Sequence, residues 1–374
     1  MLIVRSPVRI SFAGGGTDLP SYYEEFGGAV LSTTINKYFY TTLGRRTDDR
    51  IQVISSDLRI FETWQGLGAA DVKGTALEIP LAVLQDLGLG VSMDLFLASE
   101  IPPGTGLGSS ASVCVNILKT LTTYVHRPLS KSDLAERAFH IAHDLLGRHI
   151  GKQDEYAAAF GGLNWITFNT DGTVGVEPLD LDPGLMREFE SKLMLFFTGS
   201  SHCSWTILEE QEKSARRHAG RAVDALHEVR VLADQMHQSL TRGNVGAVGS
   251  LMHQAWKAKK RISDKISTSR IDHLYEIARQ HGAVGGKITG AGGGGFLLLY
   301  CEPDCQAAVR TALTSEGVQE MTFGFDFQGA QVVCNDPFID NDQRGGSRWV
   351  FIPSTTSVPD SPRKLSQGYL NPFR

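Results

Sequence analysis

The stretch Pro102-Pro103-Gly104-Thr105-Gly106-Leu107-Gly108-Ser109-Ser110-Ala111 holds the residue types and spacing that most directly suggest chemistry. Three glycines alternate with other residues, two serines follow, and an apolar helical run begins at once with Val113, Val115, Ile117, Leu118 and Leu121. Glycine lets a backbone approach a ligand closely and adopt left-handed angles. A helix N-terminus behind such a turn offers unpaired N–H groups and a dipole that favours an anion, a phosphate above all. The serines have two readings, as helix caps or as hydroxyls for a metal ion riding on the phosphate. The stretch is not a Walker loop: no Gly-x-x-x-x-Gly-Lys-Ser/Thr occurs, and Gly286-Lys287 is followed by Ile288. Nor does it fit the dinucleotide fingerprint, because its third glycine comes too early.

The elements that must position this loop are legible in outline. Residues 9–13 read as a strand running into Gly14-Gly15-Gly16-Thr17-Asp18. Further strands are expected at 29–43, 51–55 and 93–97. A helix follows the loop to about Tyr124, and a second spans Ser132 to Leu146 with Ser130 or Ser132 as its cap. Residues 163–168 read as a strand closed by the hairpin turn Asn169-Thr170-Asp171-Gly172. A domain junction is expected near Asp180–Gly184, then a buried strand at 192–197. Helices should span about 204–240, 244–260 and 270–281. The glycine-rich run 285–295 leads into the strand 296–300. The segment 336–374, with five prolines and an apolar patch at Trp349–Ile352, is expected to be an irregular tail.

With 374 residues the chain is long enough for two domains. A formal charge of −5 argues against a broad nucleic-acid or membrane surface, and no apolar run approaches a membrane span. The N-terminal residues lack a signal-peptide layout. Five scattered cysteines (114, 203, 301, 305 and 334) suggest free thiols in a reducing compartment, so a cytoplasmic location is expected.

Three more islands share the logic of the loop: Pro7–Asp18, Gly151-Lys152-Gln153-Asp154-Glu155-Tyr156 running on to Gly161-Gly162, and Lys287–Gly295. In this order the four islands resemble the GHMP small-molecule kinases over residues 1–335. Gly14–Asp18, Gly151–Tyr156 and Trp256 with Lys259, Ser263 and Ile266-Ser267 look most like the sugar 1-kinase branch, which includes kinases of heptose 7-phosphate and of fucose. The resemblance implies an α+β, two-domain fold, with residues 1–183 and 184–335 as N- and C-terminal domains and the active site between them.

It also implies residue roles. Pro103, Gly104, Thr105, Gly106, Leu107, Gly108, Ser109, Ser110 and Ala111 would wrap the phosphates of ATP, with Ser110 before Ser109 reaching Mg²⁺. Asp154 would be the base that takes the proton of a sugar hydroxyl, and Arg9 its basic neighbour at the γ-phosphate. Gly15, Gly16, Thr17, Asp18, Lys152, Gly290, Gly292 and Gly293 would meet the substrate.

Two departures stand out. Where many relatives carry a metal-binding glutamate this chain has Ala142, which leaves Asp144 or His143 as substitutes. Otherwise Mg²⁺ is held by Ser110, ATP and water. His202 stands where sugar-kinase relatives often have arginine. The expected partners are ATP and a sugar or sugar phosphate, with no nucleic acid or membrane, and a homodimer is left open. The expected reaction is transfer to O1 of D-glycero-D-manno-heptose 7-phosphate. The alternatives are a neutral-sugar or cyclitol kinase and a silent relative that binds sugar and ATP. Lys37, Lys152, Lys259, Lys260 and Arg261 are the candidates for holding a distal phosphate.

Overall fold

A computed structural model describes residues 1–66, 72–90, 92–200, 207–209 and 219–336. His202, Cys203, the first part of the expected 204–240 helix and the tail from 337 lie outside them.

Two sheets build the molecule. The larger has nine strands, with β13-β1-β2-β5-β3-β4 in spatial order, β12 and β6 branching from β2, and β7 pairing with β6. Its strands are β1 (Leu2–Ala13), β2 (Gly28–Arg45), β3 (Ile51–Ser55), β4 (Ile60–Trp64), β5 (Met93–Ser99), β6 (Leu163–Phe168), β7 (Val174–Pro178), β12 (Phe325–Asp326) and β13 (Gln331–Asn335). The 18-residue β2 is long enough to pair with β6 along its first half and β5 along its second. The smaller sheet, in the order β11-β8-β10-β9, comprises β8 (Leu193–Phe197), β9 (Ala283–Ile288), β10 (Phe296–Cys301) and β11 (Gln319–Glu320).

The helix Ser109–Tyr124 follows the glycine loop as the sequence predicts, and buries Cys114, Val115, Ile117, Leu118 and Leu121. The expected 132–146 helix is regular over Lys131–His140, with Ser130 capping Asp133 N–H, and widens to a π turn at Ile141–Leu145. Several elements were not predicted, among them the helices Glu78–Asp86 and Pro183–Ser191 and the strand β4. β9 was hidden by Gly285 and Gly286, whose missing side chains admit Gly249 O and Leu298 O. The helix Pro303–Ser315 was passed over altogether.

The chain does not divide cleanly at 183/184. β13 returns to pair with β1, and one core runs from Val8, Ile10 and Phe12 of β1 to Leu195, Leu298, Met236 and Met252. Phe189 stitches the two sides, its ring centroid 5.1 Å from Phe12 and 5.9 Å from Phe325. Among the described residues no helix is long and apolar enough to cross a membrane.

Because Phe189 is fully buried at this seam, Phe189→Ala should cost about 3–5 kcal/mol in urea unfolding. A loss below about 1 kcal/mol would contradict a shared core.

Candidate functional site

β1 breaks its regular pairing with β2 at Pro7/Val8 and again at Ser11/Ala13. Between these irregularities Arg9 turns to the glycine loop: its N–H donates to Leu107 O at 2.9 Å. The Arg9 guanidinium donates from Nε to Asp154 Oδ1 and from Nη2 to Asp154 Oδ2, both at 2.7 Å. Nη1 donates to Gly106 O at 2.6 Å. One buried arginine thus fixes a carboxylate in a two-point grip and anchors the loop.

Gly104, Gly106 and Gly108 all take positive φ, of 74°, 80° and 75°. The residues between them turn inward. Thr105 donates its hydroxyl to Pro102 O and accepts Phe296 N–H on its own carbonyl, while Leu107 is buried. A Cβ on Gly106 would sit 2.5 Å from Thr289 O, which is why the loop can lie against the 287–295 run. Gly108 occupies the cap of the Ser109–Tyr124 helix and no side chain caps it. The first N–H groups of that helix therefore face the cleft without a side-chain partner, ready for an anion.

The cleft has a volume of about 480 Å³, the size of a small-molecule site. Of the expected residues, Arg9, Gly15, Gly16, Asp18, Pro103, Gly104, Gly106, Gly108, Ser109, Ser110, Ala111, Asp154 and Gly290 line it. Asp18 is buried, accepts Gly16 N–H at 2.8 Å, and its carboxyl is pushed up by burial and then by Asp154. Gly151 makes room for it, since a Cβ there would fall 2.0 Å from Asp18 Oδ2.

Several expectations are corrected. Lys152 lies at the start of the helix Gln153–Phe160, but its side chain leaves on the far side from Asp154. Its Nζ donates to Glu136 at 2.9 Å and to Gly172 O at 3.0 Å, so it braces the fold outside the cleft. Thr17 is fully buried and spends its hydroxyl on Gly14 O and Ala29 O. Thr105 and Leu107 support the loop from within. Gly292 and Gly293 pack on the 266 turn, where Gly293 N–H donates to Ile266 O at 2.8 Å. Asp144 is exposed and paired with His140 and His143, both at 2.7 Å; the π turn does not carry it or His143 into the cleft. Ala142 does line the cleft. Among the described residues no three His, Cys, Asp or Glu side chains converge on a metal position.

Of the five cation candidates only Lys259 enters the cleft. It is buried, donates to Gly290 O at 2.6 Å, and burial pulls its ammonium down to about 8. Lys260 is held by Asp272 and Arg261 by Glu228, while Lys37 is half-buried on β2 outside the cleft lining.

Sequence reasoning gave no role to Lys287, Glu78, Arg148, Ser11 or Glu155. Lys287 is buried and donates to Ser11 O at 2.9 Å, with its ammonium pulled well down by burial. Glu78 and Arg148 pair in the cleft wall. Ser11 Oγ, Gln153 Oε1 and Glu155 Oε2 are buried atoms of the lining without a hydrogen-bond partner in the protein. Such orphans concentrated in one cleft mark a place where a ligand completes the bonding. The sequence signal for Glu155 is limited to its place beside Asp154 in the first turn of the helix Gln153–Phe160.

Family models for the GHMP kinases N terminal domain and the GHMP kinases C terminal domain match residues 72–162 and 236–319. A D-glycero-alpha-D-manno-heptose 7-phosphate kinase of Campylobacter jejuni is 30% identical over 87% of this chain and 97% of its own. An L-fucokinase/L-fucose-1-P guanylyltransferase of Bacteroides fragilis is 27% identical over 82% of this chain but 35% of its own. The crystal structure of a D-glycero-D-manno-heptose 1-phosphate kinase from Bacteriodes thetaiotaomicron superposes with a TM-score of 0.75 at 28% identity, covering 90% of this chain and 99% of that one.

Gly151→Ala should cost about 1–3 kcal/mol in urea unfolding, because the methyl group must displace the buried Asp18 carboxylate. Unchanged stability would show that Asp18 is not seated as described.

Proposed function

The chain belongs to the GHMP kinase family, and on that premise we propose that it transfers the γ-phosphoryl group of ATP to O1 of D-glycero-D-manno-heptose 7-phosphate. The family is one of ATP-dependent phosphotransferases, and the heptose kinases of Campylobacter jejuni and Bacteriodes thetaiotaomicron match this chain over nearly their full length. The observation that carries the reading is the Arg9–Asp154 pair, held at the mouth of a glycine-framed helix N-terminus.

Phosphoryl transfer asks mostly for positioning and for charge to meet the phosphates. The triphosphate lies along Gly104–Ala111, where the helix N–H groups face it. The sugar occupies the Gly15–Asp18 side, where the Asp18 carboxylate and Lys259 ammonium take its hydroxyl and anionic groups. Asp154, a quarter exposed toward the cleft, accepts the proton of the attacking hydroxyl as its oxygen bonds to the γ-phosphorus and ADP leaves. Arg9 keeps that carboxylate in place and brings positive charge beside the transferred group.

The donors present fit a hard cation such as Mg²⁺: the Ser110 hydroxyl stands at the helix mouth and a carboxylate oxygen of the same lining is orphaned. Ser110 would hold the cation, which when bound offsets phosphate charge.

The support for a phosphorylated sugar is Lys259, a buried cation within the cleft, together with the likeness to the Campylobacter kinase. The likeness to the fucokinase supports a neutral sugar instead.

Incubation with ATP, Mg²⁺ and a panel of heptose 7-phosphate, free heptose, fucose, galactose and a cyclitol, read by mass spectrometry, tests the proposal. Heptose 7-phosphate should gain one phosphate at O1 and the neutral sugars should lag by orders of magnitude; preference for fucose would overturn the substrate. Asp154→Asn should lower kcat by about 10²–10⁴-fold. The Lys259 charge is present below its pKa and lost as pH rises through about 8. KM for the sugar phosphate should therefore climb above that pH. Lys259→Arg, which stays charged, should flatten the rise. A KM independent of pH in the wild-type chain would remove Lys259 from the account.

A further inference from the structure

Glu155 is the one acidic side chain of the cleft whose surroundings make no sense in the absence of a ligand. It follows Asp154 in the first turn of the helix Gln153–Phe160, and only 2% of it is exposed. Its Oε2 has no hydrogen-bond partner in the protein. The backbone N–H of Glu155 itself offsets part of the desolvation, but the unpartnered Oε2 is costly to bury whichever protonation state the group takes. The nearest charges aggravate the problem: Asp154 and Asp18 oppose the carboxylate and Arg9, already gripped by Asp154, offsets them only in part.

The position of the group is defined from three sides. Glu155 lines the same cleft as Ser109, Ser110 and Ala142. Its charge is felt by Cys114, whose thiol is pushed up first by burial and then by Glu155. Cys114 lies four residues after Ser110 and so shares its face of the Ser109–Tyr124 helix. Glu155 therefore lies in the same lining as the helix mouth, next to Asp154, whose own carboxylate sits against Gly108 and Arg9. On the facing π turn the cleft-lining residue is Ala142, which has no donor to offer, and Asp144 is turned out to solvent.

We infer that Glu155 is the carboxylate that holds the divalent cation accompanying the nucleotide, taking in this chain the place that Ala142 cannot fill. The inference rests on the kinase reading above and adds the residue that fixes its metal. A carboxylate, the Ser110 hydroxyl and phosphate oxygens, completed by water, make an all-oxygen set of the kind Mg²⁺ and Mn²⁺ accept. It needs no third protein carboxylate, in keeping with the lack of a three-residue metal cluster among the described residues. The cation in turn removes the cost of the orphaned oxygen, so the site is completed only when metal and nucleotide are present together.

The test uses the full chain, Mn²⁺ as probe and the non-hydrolysable analogue AMPPNP. Affinity for AMPPNP is measured without metal by calorimetry. Mn²⁺ affinity of the AMPPNP-loaded protein is measured by electron paramagnetic resonance. Glu155→Gln, which keeps shape and volume, should weaken Mn²⁺ binding at least tenfold and leave metal-free AMPPNP binding within twofold. Adding Ala142→Glu to Glu155→Gln should restore much of the Mn²⁺ affinity, a gain that a misfolded variant could not show. Equal Mn²⁺ affinity in the wild-type chain and Glu155→Gln, with AMPPNP bound to both, overturns the inference alone. An equal loss of metal-free AMPPNP affinity overturns it as well, because Glu155 would then be a structural prop. Failure of the wild-type chain to bind AMPPNP overturns the kinase reading and this inference with it.

Discussion

Everything at the cleft hangs on the guanidinium of Arg9. Arg9 lies on β1 within the stretch that pairs regularly with β2 opposite Thr34, and its N–H faces the other edge of the strand, where it donates to Leu107 O of the loop. Its three side-chain bonds then tie together groups from distant parts of the chain: the loop carbonyl at Gly106 and both oxygens of Asp154. A planar fork can make that arrangement in one geometry only, which lysine cannot reproduce. The distance between the glycine loop and the Asp154 carboxylate is thereby set by one rigid group rather than by two loops.

The rest of the fold serves this arrangement by allowing backbones to approach closely. Gly106 rests on Thr289, and Gly290 on Gly106 in return, so the loop after β9 closes one side of the cleft. Gly151 admits the Asp18 carboxylate, and the same turn starts the helix that carries Asp154 and Glu155. The continuous core beneath, with Phe12, Phe189 and Phe325 in mutual contact, prevents the two sheets from moving independently under these contacts. Burial does the electrostatic tuning: it pulls Lys259 and Lys287 down and pushes Asp18 and Glu155 up, favouring the neutral form of each group in one desolvated space.

Much of this was legible in residue order. The loop and its helix announce themselves by their glycines and the apolar run behind them, whereas Asp154, Arg9 and Asp18 were singled out by the resemblance to the GHMP kinases. What was not legible was the direction in which side chains leave the backbone. Lys152 and Asp154 are two residues apart at a helix start, and the geometry sends one outward to Glu136 and the other into the cleft. Thr17 reads like a sugar ligand but is consumed by its own turn. Asp144 was placed near Ala142 by sequence separation, yet exposure and two histidines claim it. Glu155 shows the converse: in the polar first turn Gln153-Asp154-Glu155 it reads as an ordinary carboxylate, and only its burial with an unpartnered Oε2 singles it out. β9 was obscured for a related reason, since two glycines erase the alternation that marks a strand.

The most direct measurement of the account is a double-mutant cycle between Arg9→Lys and Asp154→Asn, with kcat for heptose 7-phosphate and Kd for ATP determined for all four proteins. If Arg9 acts on the reaction by holding Asp154, the double variant has the kcat of the worse single variant, while Arg9→Lys weakens ATP through the loop in either background. Losses in kcat that multiply would show that arginine and aspartate act independently, and would contradict the arrangement on which the whole site is built.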